Sequence, residues 1–267
     1  MKKILLAVDD GNFPEGAFEF ARQMNEQEPI VLCGVFLPEL NFTADISYTS
    51  IFVPLVENYA AASIQRSIDT FKEHCTRYNI NYLIHRNVEE FALTTLHRES
   101  RFADLLLLSS EKFYADMLTG PDSYLNSALH QAECPLIISP EKPDFPESII
   151  LTYDGSASSV FAIKSFATLF PWLCRRKTLL LYATNKDTDV PYSSDIMELI
   201  QHHFANPDVQ AVNTVPEKYF DTWLSEIGKP MVVTGAYGRS QLSRFFRHSF
   251  ITDLLKTHRI PVFVAHR

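Results

Sequence analysis

The chain has 267 residues, 46% of them hydrophobic and 21% charged, with a formal net charge of −8. That supplies apolar material for two domains of ordinary size, excludes a disordered chain and argues against general nucleic-acid binding. No run approaches the ~18 uninterrupted apolar residues of a membrane-spanning helix, so no membrane partner is expected.

Met1, Lys2 and Lys3 open on an apolar run, Ile4 to Val8, that ends in Asp9 and Asp10. It is too short for a signal peptide and reads as a first strand in a cytoplasmic protein. Gly11 and Asn12 follow, then a helical pattern around Ala17 and a second apolar run, Ile30 to Phe36. Ile64, Ile68, Phe71, Cys75 and Tyr78 keep one face at steps of three and four, which predicts a long helix. Tyr82 to His85 is the third strand, Ala92 and Leu96 mark a helix, and Leu105 to Leu108 is the fourth strand. A helix from about Ser123 and a last strand, Leu136 to Ser139, complete the half.

Pro140, Pro143 and Pro146 fall within seven residues and predict a linker over 141–147, between domains at 1–140 and 148–267. The second half repeats the order. Ile149 to Tyr153 ends in Asp154, a helix carries Ala162, and Thr178 to Ala183 is the second strand. A short helix from Asp195 to Phe204 follows, with Ser193 or Ser194 as its expected N-cap. Gln210 to Asn213 predicts a strand, and Phe220, Trp223, Leu224 and Ile227 a helix closed by Gly228. Met231 to Thr234, a helix from about Ser249 and Val262 to Ala265 end the chain. Strands alternating with helices predict α/β architecture, a doubly wound parallel sheet in duplicate.

The fourth strand and its loop recur at an offset of 126 residues without a gap, pairing Leu105 with Met231, Ser109 with Gly235, Lys112 with Gly238, Ser123 with Ser249 and Pro135 with Pro261. Glycines after a strand let backbone approach an anion, so the second copy is the candidate phosphate site. Charge agrees: residues 1–143 carry net −9 and residues 144–267 net +1. Arg239, Arg244 and Arg247 add cations to the second loop.

Gly235-x-x-Gly238, nine residues and then His248-Ser249, together with the Asp that ends each first strand, resembles the universal stress protein family, in particular its tandem two-domain members. The family pattern has a third glycine where His248 stands. The first half, Ser109-x-x-Lys112 and Asp122-Ser123, matches only the hydroxyl. The resemblance implies two tandem universal stress protein-like domains (adenine nucleotide alpha hydrolase-like fold), joined through their last strands into an intrachain pseudo-dimer. It implies a regulator or sensor that binds ATP or another adenine nucleotide in the second domain, with magnesium only alongside the nucleotide. On that reading Gly235, Gly238 and Ser249 line the phosphates; Arg239, by its charge, and His248, whose ring can donate in place of the missing glycine, are further candidate phosphate partners. Asp154 holds the adenosine, and Ala183 meets the adenine through its backbone. An unidentified protein partner is expected, and a homodimer is left open. The alternative is a scaffold without nucleotide, acting through protein contacts or a small apolar ligand.

Other chemistries are weaker. Asp9 and Asp10 would suit the acidic pair of a receiver domain, but no phosphoacceptor aspartate or lysine stands at the required places. His202, His203 and His74 lack metal-ligand spacing, and no metal is expected. Cys33, Cys75, Cys134 and Cys174 have no C-x-x-C spacing and are expected to be buried reduced thiols. No catalytic motif is present, so no catalytic residue is named and slow ATP hydrolysis is the most that is expected.

Overall fold

Apolar runs four to seven residues long set the frame, because a strand covered on both faces needs no polar alternation. The computed structural model describes residues 1–8, 13–37, 54–86, 92–109, 132–183, 190–212, 227–235 and 260–265. In the first half β1 (Lys2–Val8), α1 (Glu15–Gln27), β2 (Ile30–Phe36), α2 (Pro54–Arg77), β3 (Asn81–Arg86), α3 (Ala92–Ser100), β4 (Leu105–Ser109) and β5 (Leu136–Ser139) follow one another. The second half contributes β6 (Ser148–Tyr153), α4 (Ala157–Leu169), a 3-10 turn (Leu173–Arg175), β7 (Lys177–Ala183), α5 (Ser193–His203), β8 (Asn206–Val212), β9 (Pro230–Gly235) and β10 (Val262–Ala265).

These strands form one ten-stranded sheet in the order β3-β2-β1-β4-β5-β10-β9-β6-β7-β8. Each half therefore has the same internal order, run in opposite directions from the middle. Every pairing is parallel except β5 with β10, which run antiparallel with Phe263 opposite Ile137. The last strands of the two halves thus pair inside one chain, as the resemblance implies.

Alternate strand residues divide between two apolar layers. Ile4, Leu6, Leu105, Leu107, Ile149, Leu151, Met231 and Val233 pack with α1, α2, α4 and α5 on one face. Leu5, Leu106, Ile150, Val232 and Val262 pack with Leu96 of α3 on the other. Both layers contain residues of both halves, so the core runs through the β5/β10 joint.

The proline-rich segment is packed rather than free. Phe145 stacks on Trp172 at 5.5 Å between ring centroids and lies 6.0 Å from Phe20. Glu147 donates its backbone N–H to the Lys229 carbonyl at 2.9 Å, and the Lys229 ammonium stands 3.2 Å from Asp144. On the other side Gly16 lies so close to this segment that a β-carbon there would stand 2.0 Å from the Pro140 carbonyl oxygen.

Three local expectations are corrected. The third strand of the second half starts at Asn206, not Gln210, and includes Pro207. It is an edge strand, pairing only with β7, and so tolerates a residue that lacks a backbone donor. The residue preceding α5 is Tyr192 in a left-handed conformation, φ 50°, with no side-chain cap, rather than Ser193 or Ser194. Tyr78 is 41% exposed just beyond α2, where its ring meets Arg22 at 5.3 Å, whereas Ile64, Ile68, Phe71 and Cys75 are buried as the period predicts. The helices expected from Ser123 and Ser249 and around Phe220, and the acids Asp9 and Asp10, lie outside the described residues. All four cysteines are buried and free.

Candidate functional site

Strand β6 is fixed at its carboxyl end by two side chains. The Thr152 hydroxyl donates to the Val233 carbonyl at 3.0 Å, tying β6 to β9, and the buried Tyr153 hydroxyl donates to the Pro191 carbonyl at 2.8 Å. Burial foremost, and then the charge of Asp154, push the Tyr153 phenol above its ordinary pKa, so it stays protonated as a donor. The chain then turns sharply. An Asp154 carboxylate oxygen, Oδ1, accepts the Ser156 N–H at 2.9 Å, and Gly155 takes φ 78°, a conformation open to glycine. Ser156 caps α4, its hydroxyl oxygen accepting the Ser159 N–H at 3.1 Å.

Sheet order brings three of the sequence candidates to one place. Gly235, Asp154 and Ala183 stand at or just beyond the carboxyl ends of β9, β6 and β7, which are neighbours. Between β6 and β9 the strand order reverses, and that crevice is where open α/β sheets hold ligands. Gly238, Arg239, His248 and Ser249 lie outside the described residues.

Gly235 has a packing reason of its own. A β-carbon built there would stand 2.6 Å from the Ser158 carbonyl carbon and 2.7 Å from the Ser159 nitrogen. The first turn of α4 therefore rests on the strand end where a side chain would otherwise be. This occupies the space at the α-carbon of Gly235. Asp154 is half-buried, and among the described residues only its Oδ1 takes a hydrogen bond, leaving Oδ2 for a ribose hydroxyl or an adenine amine.

A second feature gave no signal in the sequence. A cleft of ≈ 560 Å³ runs between α4 and α5, lined by Phe161, Lys164, Tyr192, Asp195 and Leu199 among others. Neither Asp154 nor Gly235 lines it. Among the described residues no three His, Cys, Asp or Glu side chains gather as a metal site, and no helix is long and apolar enough to cross a membrane.

The fold as a whole is shared with solved structures. A universal stress protein from Archaeoglobus fulgidus DSM 4304 superposes over 100% of this chain and 96% of its own, with a TM-score of 0.71 at 13% identity. The chain has the universal stress protein fold. A second structure of that description, from Pseudomonas aeruginosa UCBPP-PA14, covers 100% of this chain and 93% of its own, with a TM-score of 0.53 at 12% identity. No family model and no curated protein matches the sequence. At such identities the likeness is one of fold, and the residues of the site must be argued from this universal stress protein-like chain itself.

Proposed function

We propose that the chain is a nucleotide-responsive regulator of two tandem domains, 1–140 and 148–267, whose second domain binds an adenine nucleotide of the ATP class. The observation that carries it is the meeting of Asp154, Ala183 and Gly235 at the strand-order reversal of the half whose net charge is not acidic. Asp154 holds the adenosine through its free carboxylate oxygen. The Ala183 backbone, at the end of β7, lies beside the base. Gly238, Arg239, His248 and Ser249 supply backbone, guanidinium, imidazole and hydroxyl donors to the phosphates. Magnesium accompanies the nucleotide, since no protein metal site is part of this reading.

The first domain serves as structural partner. Its loop carries Asp122 and no glycine at the matched positions, and its half is net −9, so phosphate is repelled there. Among the described residues no group near Asp154 is placed as a general base for water attack, and binding without useful turnover is the activity proposed. The output passes to an unidentified protein partner.

Calorimetric titration of the full chain with ATP, ADP and AMP tests this. One equivalent of nucleotide is expected, with affinity reduced about tenfold or more, ~1.4 kcal/mol, in Asp154→Asn and Ser249→Ala. Absence of binding by a chain shown to be folded overturns the reading.

A further inference from the structure

The groove between α4 and α5 has features that packing alone does not require. Tyr192 is a non-glycine residue at φ 50°, and its side chain is 70% exposed. A bulky residue in left-handed backbone is held only where its surroundings impose it. Those surroundings are visible: the Tyr153 hydroxyl grips the Pro191 carbonyl, and Pro191 packs against Gly155, whose own φ is 78°. Two unusual backbone positions and a buried phenol thus cooperate to stand an aromatic ring at the mouth of the cleft.

The walls behind that ring are apolar. Val160, Phe161, Ile196 and Leu199 line them, and the volume of ≈ 560 Å³ lies within the range that holds small organic ligands. Charge is placed at two levels. Asp195 lies in the first turn of α5, whereas Lys164 lies two turns into α4. Among the described residues the Lys164 ammonium has no ion-pair partner. An unpaired cation beside an apolar wall complements an anionic group attached to an apolar body. The Asp195 carboxylate at the other level accepts a hydrogen bond from a ligand donor.

We propose that this groove binds a planar apolar organic anion, its body between Phe161 and Tyr192 and its charge on Lys164. The groove adjoins the proposed nucleotide crevice, since Tyr153, Gly155 and Ser156 on either side of Asp154 belong to its lining, but neither Asp154 nor Gly235 does, and the ligand contacts proposed here use neither. Its occupation bridges α4 and α5, and α4 is the helix whose first turn rests on Gly235. A ligand here therefore reaches the nucleotide crevice through one rigid element.

The test uses 8-anilinonaphthalene-1-sulfonate as probe with the native full chain. Saturable fluorescence at one equivalent is expected, displaced by 4-phenylbutyrate and at least tenfold less well by its uncharged amide. Lys164→Glu is expected to weaken dye binding about tenfold or more. Tyr192→Gly removes the ring and relieves the left-handed backbone, so it is expected to lose dye while melting no lower than the parent. Non-saturable dye binding, equal displacement by acid and amide, or unchanged binding in both variants overturns the proposal. Competition by ATP that vanishes in Lys164→Glu also overturns it, since the groove would then belong to the nucleotide site. Failure of ATP to bind while the dye binds as described leaves this inference standing and removes the nucleotide reading alone.

Discussion

A β-carbon at Gly235 would press on the peptide between Ser158 and Ser159 at 2.6 to 2.7 Å, and backbone cannot swing aside as a side-chain tip can. Gly235→Ala is accordingly expected to lose about 1–3 kcal/mol of stability, read from the denaturant midpoint. A larger residue there reports on folding more than on nucleotide affinity, which makes Asp154→Asn the cleaner probe of binding. Ser156→Ala removes the acceptor for the Ser159 N–H and is expected to lose about 1 kcal/mol by the same measurement. Asp154 was legible because an acid ending an apolar run marks a strand edge. The packing duty of Gly235 was not, since a glycine in sequence does not say whether a ligand or a neighbouring helix needs the space. Tyr192 was equally hidden: its backbone is set by Pro191 and Tyr153, a contact between segments that no local pattern records.

Periodic apolar faces and runs carry their own evidence, and so α2 and the strands other than β8 stand where the sequence puts them. Boundaries fared worse where tertiary context decides them. The strand expected from Gln210 starts at Asn206 instead and takes in Pro207, which is tolerated because β8 lies at a sheet edge, where half the backbone groups have no strand beside them. The buried thiols illustrate packing on single elements. Burial pushes Cys33 up to about 11 and Cys75, Cys134 and Cys174 up to about 12. Against about 8.5 in an unfolded chain, the folded state then holds the protons longer, so this contribution to stability is present below pH ~8.5 and is lost as pH rises toward 11 to 12. The denaturant midpoint is expected to fall across that window, and the four thiols to resist labelling at pH 8 until denaturant is added. Phe145 is the side chain that links α1 to Trp172 across the joint, and Phe145→Ala is expected to lose about 1 kcal/mol from the stacked pair, with more from lost burial.

At the scale of the molecule, one sheet and two continuous apolar layers cross from half to half. Calorimetric unfolding is therefore expected as one transition, and two separated transitions would show that the β5/β10 joint couples the halves weakly. The duplication was legible because an offset of 126 residues without a gap repeats strand, loop and proline together. The function was less so, since the two halves share a frame and differ in the few residues that chemistry requires. Asp154 and Gly235 meet at the strand reversal of the less acidic half, and the central claim is that nucleotide binds there and not in the first half. Photolabelling of the full chain with 8-azidoadenosine triphosphate, followed by peptide mapping, tests it most directly. Label competed by ATP and confined to residues 148–267 is the predicted result; label in residues 1–140, or none that ATP competes, would contradict it.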